Sequence, residues 1–176
     1  MNKQQLTERL MARCSRSEYS TGQVAAYARR WLDKEEGAGS SIVGEIVERL
    51  VKEKFVDDRR FAAVFVRDKL KFNGWGRQKI VYKLRSLGVD DVIISEAIAE
   101  NYNGNGEGCD ASAVLERVVA NKWKALCRRD EHKMANGVEK VSQMRSVQAR
   151  KAAVIRFAMG RGFDYEEIVK CLNNIV

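Results

Sequence analysis

Asp57 and Asp58 are adjacent carboxylates, His132 is the single histidine, and four thiols lie at Cys14, Cys109, Cys127 and Cys171. These are the residue types that carry acid–base, nucleophilic or metal chemistry. A carboxylate pair can divide acid and base roles when its two pKa values are pushed apart. Asp57 and Asp58, however, directly precede a helical pattern, where an acid caps backbone N–H groups and meets the positive end of the helix dipole. Capping is the reading their position favours. His132 stands in a polar stretch with no serine or cysteine spaced to serve as its nucleophile. The thiols include no Cys-x-x-Cys pair, and one histidine is too few to complete a zinc site around them. Neither a Gly-Lys-Ser/Thr phosphate cradle nor a dinucleotide fingerprint occurs. The expectation is a protein with no catalytic, cofactor or metal site, not an enzyme, with reduced thiols suited to the cytoplasm.

What remains is electrostatic chemistry. Arg59, Arg60, Arg67, Lys69, Lys71, Arg77, Lys79, Lys83 and Arg85 face a single acid, Asp68, within their own window. A second window, Arg117 to Arg161, holds twelve basic and three acidic residues and includes Arg150, Lys151, Arg156 and Arg161. The net charge is +8 and the pI about 9.4. A solvated surface normally intersperses both signs, so cations without their acids point to a polyanion as partner. Trp75, in "NGWGR", has the chemistry to stack on a nucleotide base. Beside two glycines it is also placed to staple its own loop, and the staple is the stronger reading.

The elements that must hold these residues are helices. Proline is absent, and Ala, Leu, Glu, Lys, Arg and Gln dominate. Apolar spacing and punctuation predict nine helices. The first covers about Lys3 to Cys14, and the second runs from a Ser20-x-x-Gln23 capping box to Lys34. The third spans Ser41 to Glu53, the fourth Asp57 or Asp58 to Phe72. The fifth spans Arg77 to Leu87, stopped by Gly88, and the sixth follows Asp90 to Asn101. "NYNGNGEG" is a linker. A seventh helix follows Asp110, the polar stretch from Asp130 to Gln143 is a loop, and the last two helices cover Val147 to Gly160 and Tyr165 to Ile175. Trp31 and Trp123 fall in apolar patterns and are expected in the core. Arg60, Arg67 and Lys71 recur at i, i+7 and i+11, one stripe opposite Phe61 and Phe65. Lys79 and Lys83 share a flank, with Tyr82 and Arg85 facing solvent.

"LGVDDVIISEAI" near Leu87 is echoed by "RGFDYEEIVKCL" near Arg161, pairing Gly88 with Gly162 and Asp90 with Asp164. "SSIVGEIVERL" repeats the apolar part. The echo implies an all-α, elongated, curved array of three tandem three-helix units without a sheet, at 1–56, 57–103 and 104–176. The N-terminus shows no apolar core followed by a cleavage site, and no run approaches the roughly 20 apolar residues of a membrane span.

The stretch "FVDDRRFAAVFVRDKLKFNGWGRQKIVYKLRSLGV" resembles the central motif of the RecX family, bacterial regulators of the RecA recombinase. Phe61-Ala62, Gly74-Trp75-Gly76, Ile80, Leu84 and Gly88-Val89 fill the family's slots, and "GRGFDYEEIVKCL" is similar to its closing Arg-Gly-Phe motif. The first triplet keeps Arg16-Ser17 but lacks the Glu-Leu pair that usually follows, and "DKEEGAGSS" is an insertion. The resemblance implies a tripled three-helix fold and a non-enzymatic, monomeric modulator. Its partners would be the RecA filament and single- and double-stranded DNA. It would lie in the filament groove and damp recombinase, ATPase and SOS co-protease activities. The alternative is a free-standing DNA-binding protein such as a helix-turn-helix transcription factor, since "KIVYKLRSLGVDDVIISEAI" sets two helices around a glycine turn. Its second helix is apolar and acidic, which suits base reading poorly. A compact globule of this length would have a radius of gyration of roughly 16 Å. Small-angle scattering should give a larger value, and one at or below it contradicts the elongated array.

Overall fold

The computed structural model describes residues 3–32, 40–102, 110–135 and 143–175. Their regular structure is helical throughout, with no strand among the described residues. The helices are α1 (Lys3–Cys14), α2 (Thr21–Leu32), α3 (Ser40–Lys52), α4 (Asp58–Lys71), α5 (Arg77–Ser86), α6 (Asp91–Asn101), α7 (Ala111–Ala135), α8 (Gln143–Gly160) and α9 (Tyr165–Ile175).

Local chemistry accounts for where they start. The Ser20 amide donates to Gln23 Oε1 at 3.0 Å and the Gln23 amide to Ser20 Oγ at 3.2 Å, which is the reciprocal capping box. Asp57 Oδ1 accepts the Arg59 and Arg60 amides at 3.0 and 3.1 Å. Asp90, Asp110 and Asp164 each accept the amide two residues ahead, at 2.8, 2.9 and 2.9 Å. Asp58 adds something its position does not suggest. Its carboxylate takes the Thr21 amide at 2.8 Å and the Thr21 hydroxyl at 2.6 Å, tying the start of α4 to the start of α2.

Two compact units are distinguished, residues 1–66 with 81–100 and residues 67–80 with 101–176. Their boundary runs within α4 and α5. In the first unit, Leu6, Leu10, Val24, Ala28, Ile46 and Leu50 are buried with Val56 as one apolar cluster. In the second, Leu70, Ile80, Val119, Val154, Ala158 and Ile168 are fully buried. Trp31 and Trp123 are half-buried, and Trp31 packs against the apolar cluster of the first unit, at its margin rather than its centre. Each ring carries a cation, Arg9 at 4.8 Å and Arg150 at 5.8 Å, so one face stays polar.

Both units use the same joint. Gly88 ends α5 with φ +79°, and Gly162 ends α8 with φ +89°. In the first unit, the Leu87 carbonyl accepts the Ser20 hydroxyl at 2.6 Å, and a Cβ on Gly22 would lie 2.3 Å from that oxygen. In the second, the Gly76 amide donates to the Arg161 carbonyl at 2.8 Å and the Gln78 amide to the Gly162 carbonyl at 3.1 Å. A Cβ on Gly76 would lie 2.3 Å from Gly162, and one on Gly162 2.4 Å from the Lys79 nitrogen. Each glycine corner thus seats on the opening turn of an earlier helix, backbone against backbone.

The expected loop from Asp130 to Gln143 is corrected at both ends. Residues through Ala135 continue α7, and α8 begins at Gln143; residues 136–142 lie outside the described residues. "RRDEHKMA" contains no helix breaker. Across the two helices, Arg150 Nε donates to Asp130 Oδ2 at 2.7 Å with side chains only 16% and 22% exposed.

Gly76→Ala and Gly162→Ala should each cost about 1–3 kcal/mol through overpacking, lowering the melting temperature by roughly 2–4 °C per kcal/mol. Gly44→Ala, where a Cβ meets nothing within 4 Å, should instead raise stability by about 0.5–1 kcal/mol. Equal melting of all three variants contradicts the joint. Arg150→Gln should cost about 1–3 kcal/mol, because it strands the Asp130 carboxylate. Arg156→Gln, on an exposed residue, should stay within about 0.5 kcal/mol of wild type in the same denaturation assay.

Candidate nucleic-acid interface

The corner between α4 and α5 is set by backbone first. Gly74, at φ +58°, donates its amide to the Leu70 carbonyl at 3.1 Å, and Trp75 donates to the Lys69 carbonyl at 3.0 Å. The indole ring is half-buried, with the Lys69 and Lys79 ammonium groups 5.5 and 4.8 Å from its centre. The adjoining amides of Gly76 and Gln78 are held by the Gly162 corner, as described above. Trp75 is therefore fixed inside a cationic bracket. Arg77 is exposed, and its amide donates to the Tyr102 hydroxyl at 3.0 Å. Burial pushes the Tyr102 hydroxyl up to about 12, so it stays protonated throughout the ordinary pH range.

Arg161 reaches this corner from the end of α8. Its Nη1 donates to the Asn73 carbonyl, and its guanidinium lies 4.8 Å from the Phe157 ring centre. Arg117, on α7, donates to the Lys71 carbonyl at 2.9 Å. Lys71 is exposed 5.6 Å from the Phe72 ring, and Lys122 lies 4.7 Å from Phe157. The Lys79 ammonium is 3.4 Å from the Gly160 carbonyl. These cations meet rings and carbonyl oxygens, the neutral partners that leave a positive charge unbalanced.

In the first unit three of the foreseen cations meet carboxylates. Arg59 pairs with Glu96, Arg60 Nε with Glu18 at 2.7 Å, and Arg85 Nε with Asp91 at 2.6 Å. The hydrogen bond to Glu18 raises the Arg60 pKa still further. Lys83 is exposed on α5. Arg67, where the second unit begins, is exposed and lies 3.9 Å from its own neighbour Asp68, a loose contact. The stripe foreseen on α4 thus divides chemically: Arg60 is matched by Glu18, whereas Lys71 and Arg67 are matched weakly at most. Phe61 is buried opposite them, and Phe65 half-buried with its ring 5.7 Å from that of Phe61.

Of the cations further along, Arg150 is committed to Asp130 and also touches Cys127 Sγ at 3.5 Å. Its geometry is that of a strut between α7 and α8. Lys151 is half-buried and Arg156 exposed. The corner cations therefore gather from α4, α5, α7 and α8. Arg117, Lys122, Phe72 and Phe157 were not singled out by sequence reasoning. Their only signal is three-dimensional, since no spacing rule connects residues 72, 117 and 157.

Asp57 and Asp58 are engaged as cap and tether, and His132 is exposed on α7. No cluster of metal-ligating side chains occurs among the described residues. Cys14 and Cys171 are buried free thiols whose pKa burial raises, and Cys109 lies outside the described residues. None of the described helices is long and apolar enough to cross a membrane.

A family model described as "RecX, second three-helix domain" matches residues 57–98. A protein of Geobacillus kaustophilus named Regulatory protein RecX is 32% identical over 162 residues, covering 92% of this chain and 49% of that protein. Its namesake in Clostridium acetobutylicum is 27% identical over 142 residues, covering 81% of this chain and 58% of its own length. The chain thus spans about half the length of the curated relatives it matches. A crystal structure of RecX from Lactobacillus salivarius superposes with a TM-score of 0.69 at 14% identity, over 98% of this chain and 95% of that one. At that identity the likeness speaks for the fold alone. The nine helices among the described residues, the match at the α4–α6 segment and the named relatives agree: the chain belongs to the RecX family.

Proposed function

We propose that this chain is a non-enzymatic regulator of the RecA recombinase, lying along the groove of the RecA–DNA filament. There it restrains recombination, ATPase and SOS co-protease activities in the bacterial cytoplasm. The observation that carries this reading is the unmatched charge at the α4–α5 corner. Lys71, Lys79, Lys122 and Arg161 contact rings and carbonyls, while Arg59, Arg60 and Arg85 of the other unit are paired with Glu96, Glu18 and Asp91. Clustered charge of one sign raises the local concentration of a polyanion and steers its approach. The name of the relatives, Regulatory protein RecX, adds the regulatory role to this electrostatic reading.

The helix-turn-helix alternative places α6 in a DNA groove. Against it, α6 buries Ile94, Ala97 and Ile98 and exposes Asp91, Val92 and Glu100. Carboxylates on a recognition helix repel phosphate, and Val92 offers no hydrogen bond to a base edge.

Replacing Arg60, Arg67 and Lys71 together by Glu should abolish inhibition of RecA strand exchange, and Arg67→Glu with Lys71→Glu should account for most of that loss. The smaller share for Arg60 follows from its bond to Glu18. With about six phosphates neutralised, affinity for the filament should fall roughly a thousandfold between 50 and 200 mM salt. Undiminished inhibition by the triple variant removes these residues from the mechanism. A strong preference for one duplex sequence without RecA would favour the alternative.

A further inference from the structure

Beside the α4–α5 corner, within the second unit, lies a cleft of about 500 Å³. Lys71 and Phe72 form one lip, Arg117 and Lys122 on α7 the other, and Phe157 and Arg161 lie at its α8 end. Its remaining lining comes from Asn73, Gly74, Val118, Asn121 and Ala125, so no carboxylate enters it among the described residues. Its volume falls within the range of small-ligand sites.

We infer that this cleft seats an unpaired nucleic-acid segment, with Phe72 stacking on a base and Arg117, Lys122 and Arg161 holding the flanking phosphates. The inference rests on the reading that the protein engages a DNA filament and supplies the place where an unpaired strand is gripped. Three features combine to carry it.

The first is charge. Four cations share one cleft with no acid among its lining residues, an arrangement whose self-repulsion an anion relieves. The second is rigidity. Arg117 is held by the Lys71 carbonyl at 2.9 Å, and Arg161 by the Asn73 carbonyl. A guanidinium carries five N–H donors, so both retain donors for phosphate after these bonds, already oriented. Phe157 holds Lys122 and Arg161 at 4.7 and 4.8 Å from its ring centre.

The third feature is Phe72, which is 73% exposed. A lone exposed aromatic is ordinary. One at the mouth of an acid-free cationic cleft offers a π-face beside phosphate-binding groups, the pairing that single-strand binders use. In a duplex the base faces are already stacked, so Phe72 selects for the unpaired form. Free phosphate or a mononucleotide would share the cations but bring a single phosphate group to them, where a strand brings several.

The test uses the full chain without RecA, so that it stands apart from the inhibition assay. Fluorescence anisotropy would measure binding to a labelled oligothymidylate, to an abasic oligomer of equal length, and to a duplex. Phe72→Ala should weaken oligothymidylate binding about tenfold, with less than a twofold change for the abasic oligomer and the duplex. Phe72→Trp should restore binding. Lys122→Gln should weaken all three ligands and flatten the salt dependence. Phe72→Ala binding oligothymidylate like wild type overturns the inference, as does an equal loss on all three ligands. Competition by inorganic phosphate or thymidine monophosphate at the same concentration of nucleotide as the oligomer would assign the cleft to small anions and also overturn it. If oligothymidylate behaves as expected while the charge-reversal variants still inhibit RecA, the cleft stands and the filament-groove reading fails.

Discussion

Between Gly76 and Gly162 there is no room for a methyl group, since a Cβ on either would fall 2.3–2.4 Å from main-chain atoms of the other's segment. Most of the candidate interface depends on that approach. It brings the end of α8 against the opening turn of α5, whose Gly76 and Gln78 amides both donate to the carbonyls of Arg161 and Gly162. That contact delivers Arg161 to the Asn73 carbonyl. A side chain at either position would push apart elements that share no long apolar seam at this point. Backbone contact is also stiffer than contact between flexible side chains, which suits a surface whose purpose is to hold charges in place. The Gly22–Leu87 joint uses the same geometry in the other unit. The corner is thus a repeated device, and among the described residues the cations around the second copy meet rings and carbonyls.

That difference between the copies is electrostatic, and proximity of charge alone does not describe it. An exposed ion pair contributes little to stability, typically under about 1 kcal/mol, yet it cancels the far field that draws a polyanion. Glu18, Glu96 and Asp91 perform this cancellation for Arg60, Arg59 and Arg85. Aromatic rings and carbonyls around Lys71, Lys79, Lys122 and Arg161 orient the cations and leave their charge in place. Basic residues in the two units therefore present two different surfaces.

Much of the fold could be read directly from the residues. Ser20 with Gln23, Asp57, Asp90 and Asp164 are local signals, each acting within three residues, and each caps the helix it precedes. Gly88 and Gly162 were legible for the same reason, and their echo anticipated a shared role. The extension of α7 to Ala135 was missed because a polar run looks alike in a loop and on a long exposed helix, and what distinguishes them here is Arg150 reaching Asp130 across twenty positions. The site was legible as a window of charge and not as a constellation. Nothing local reveals that Glu18 matches Arg60, that Asp58 binds Thr21, or that Phe72, Lys122 and Phe157 border one cleft. Those facts belong to packing.

Amide hydrogen–deuterium exchange, with and without RecA assembled on single-stranded DNA, tests most directly whether the glycine-held corner is the surface that meets the nucleoprotein. The account predicts slowed exchange in residues 69–79, 112–125 and 156–162 on binding, with residues 3–32 little changed. Protection confined to residues 3–32 and 41–52, with the α4–α5 corner exchanging as in the free protein, would contradict it.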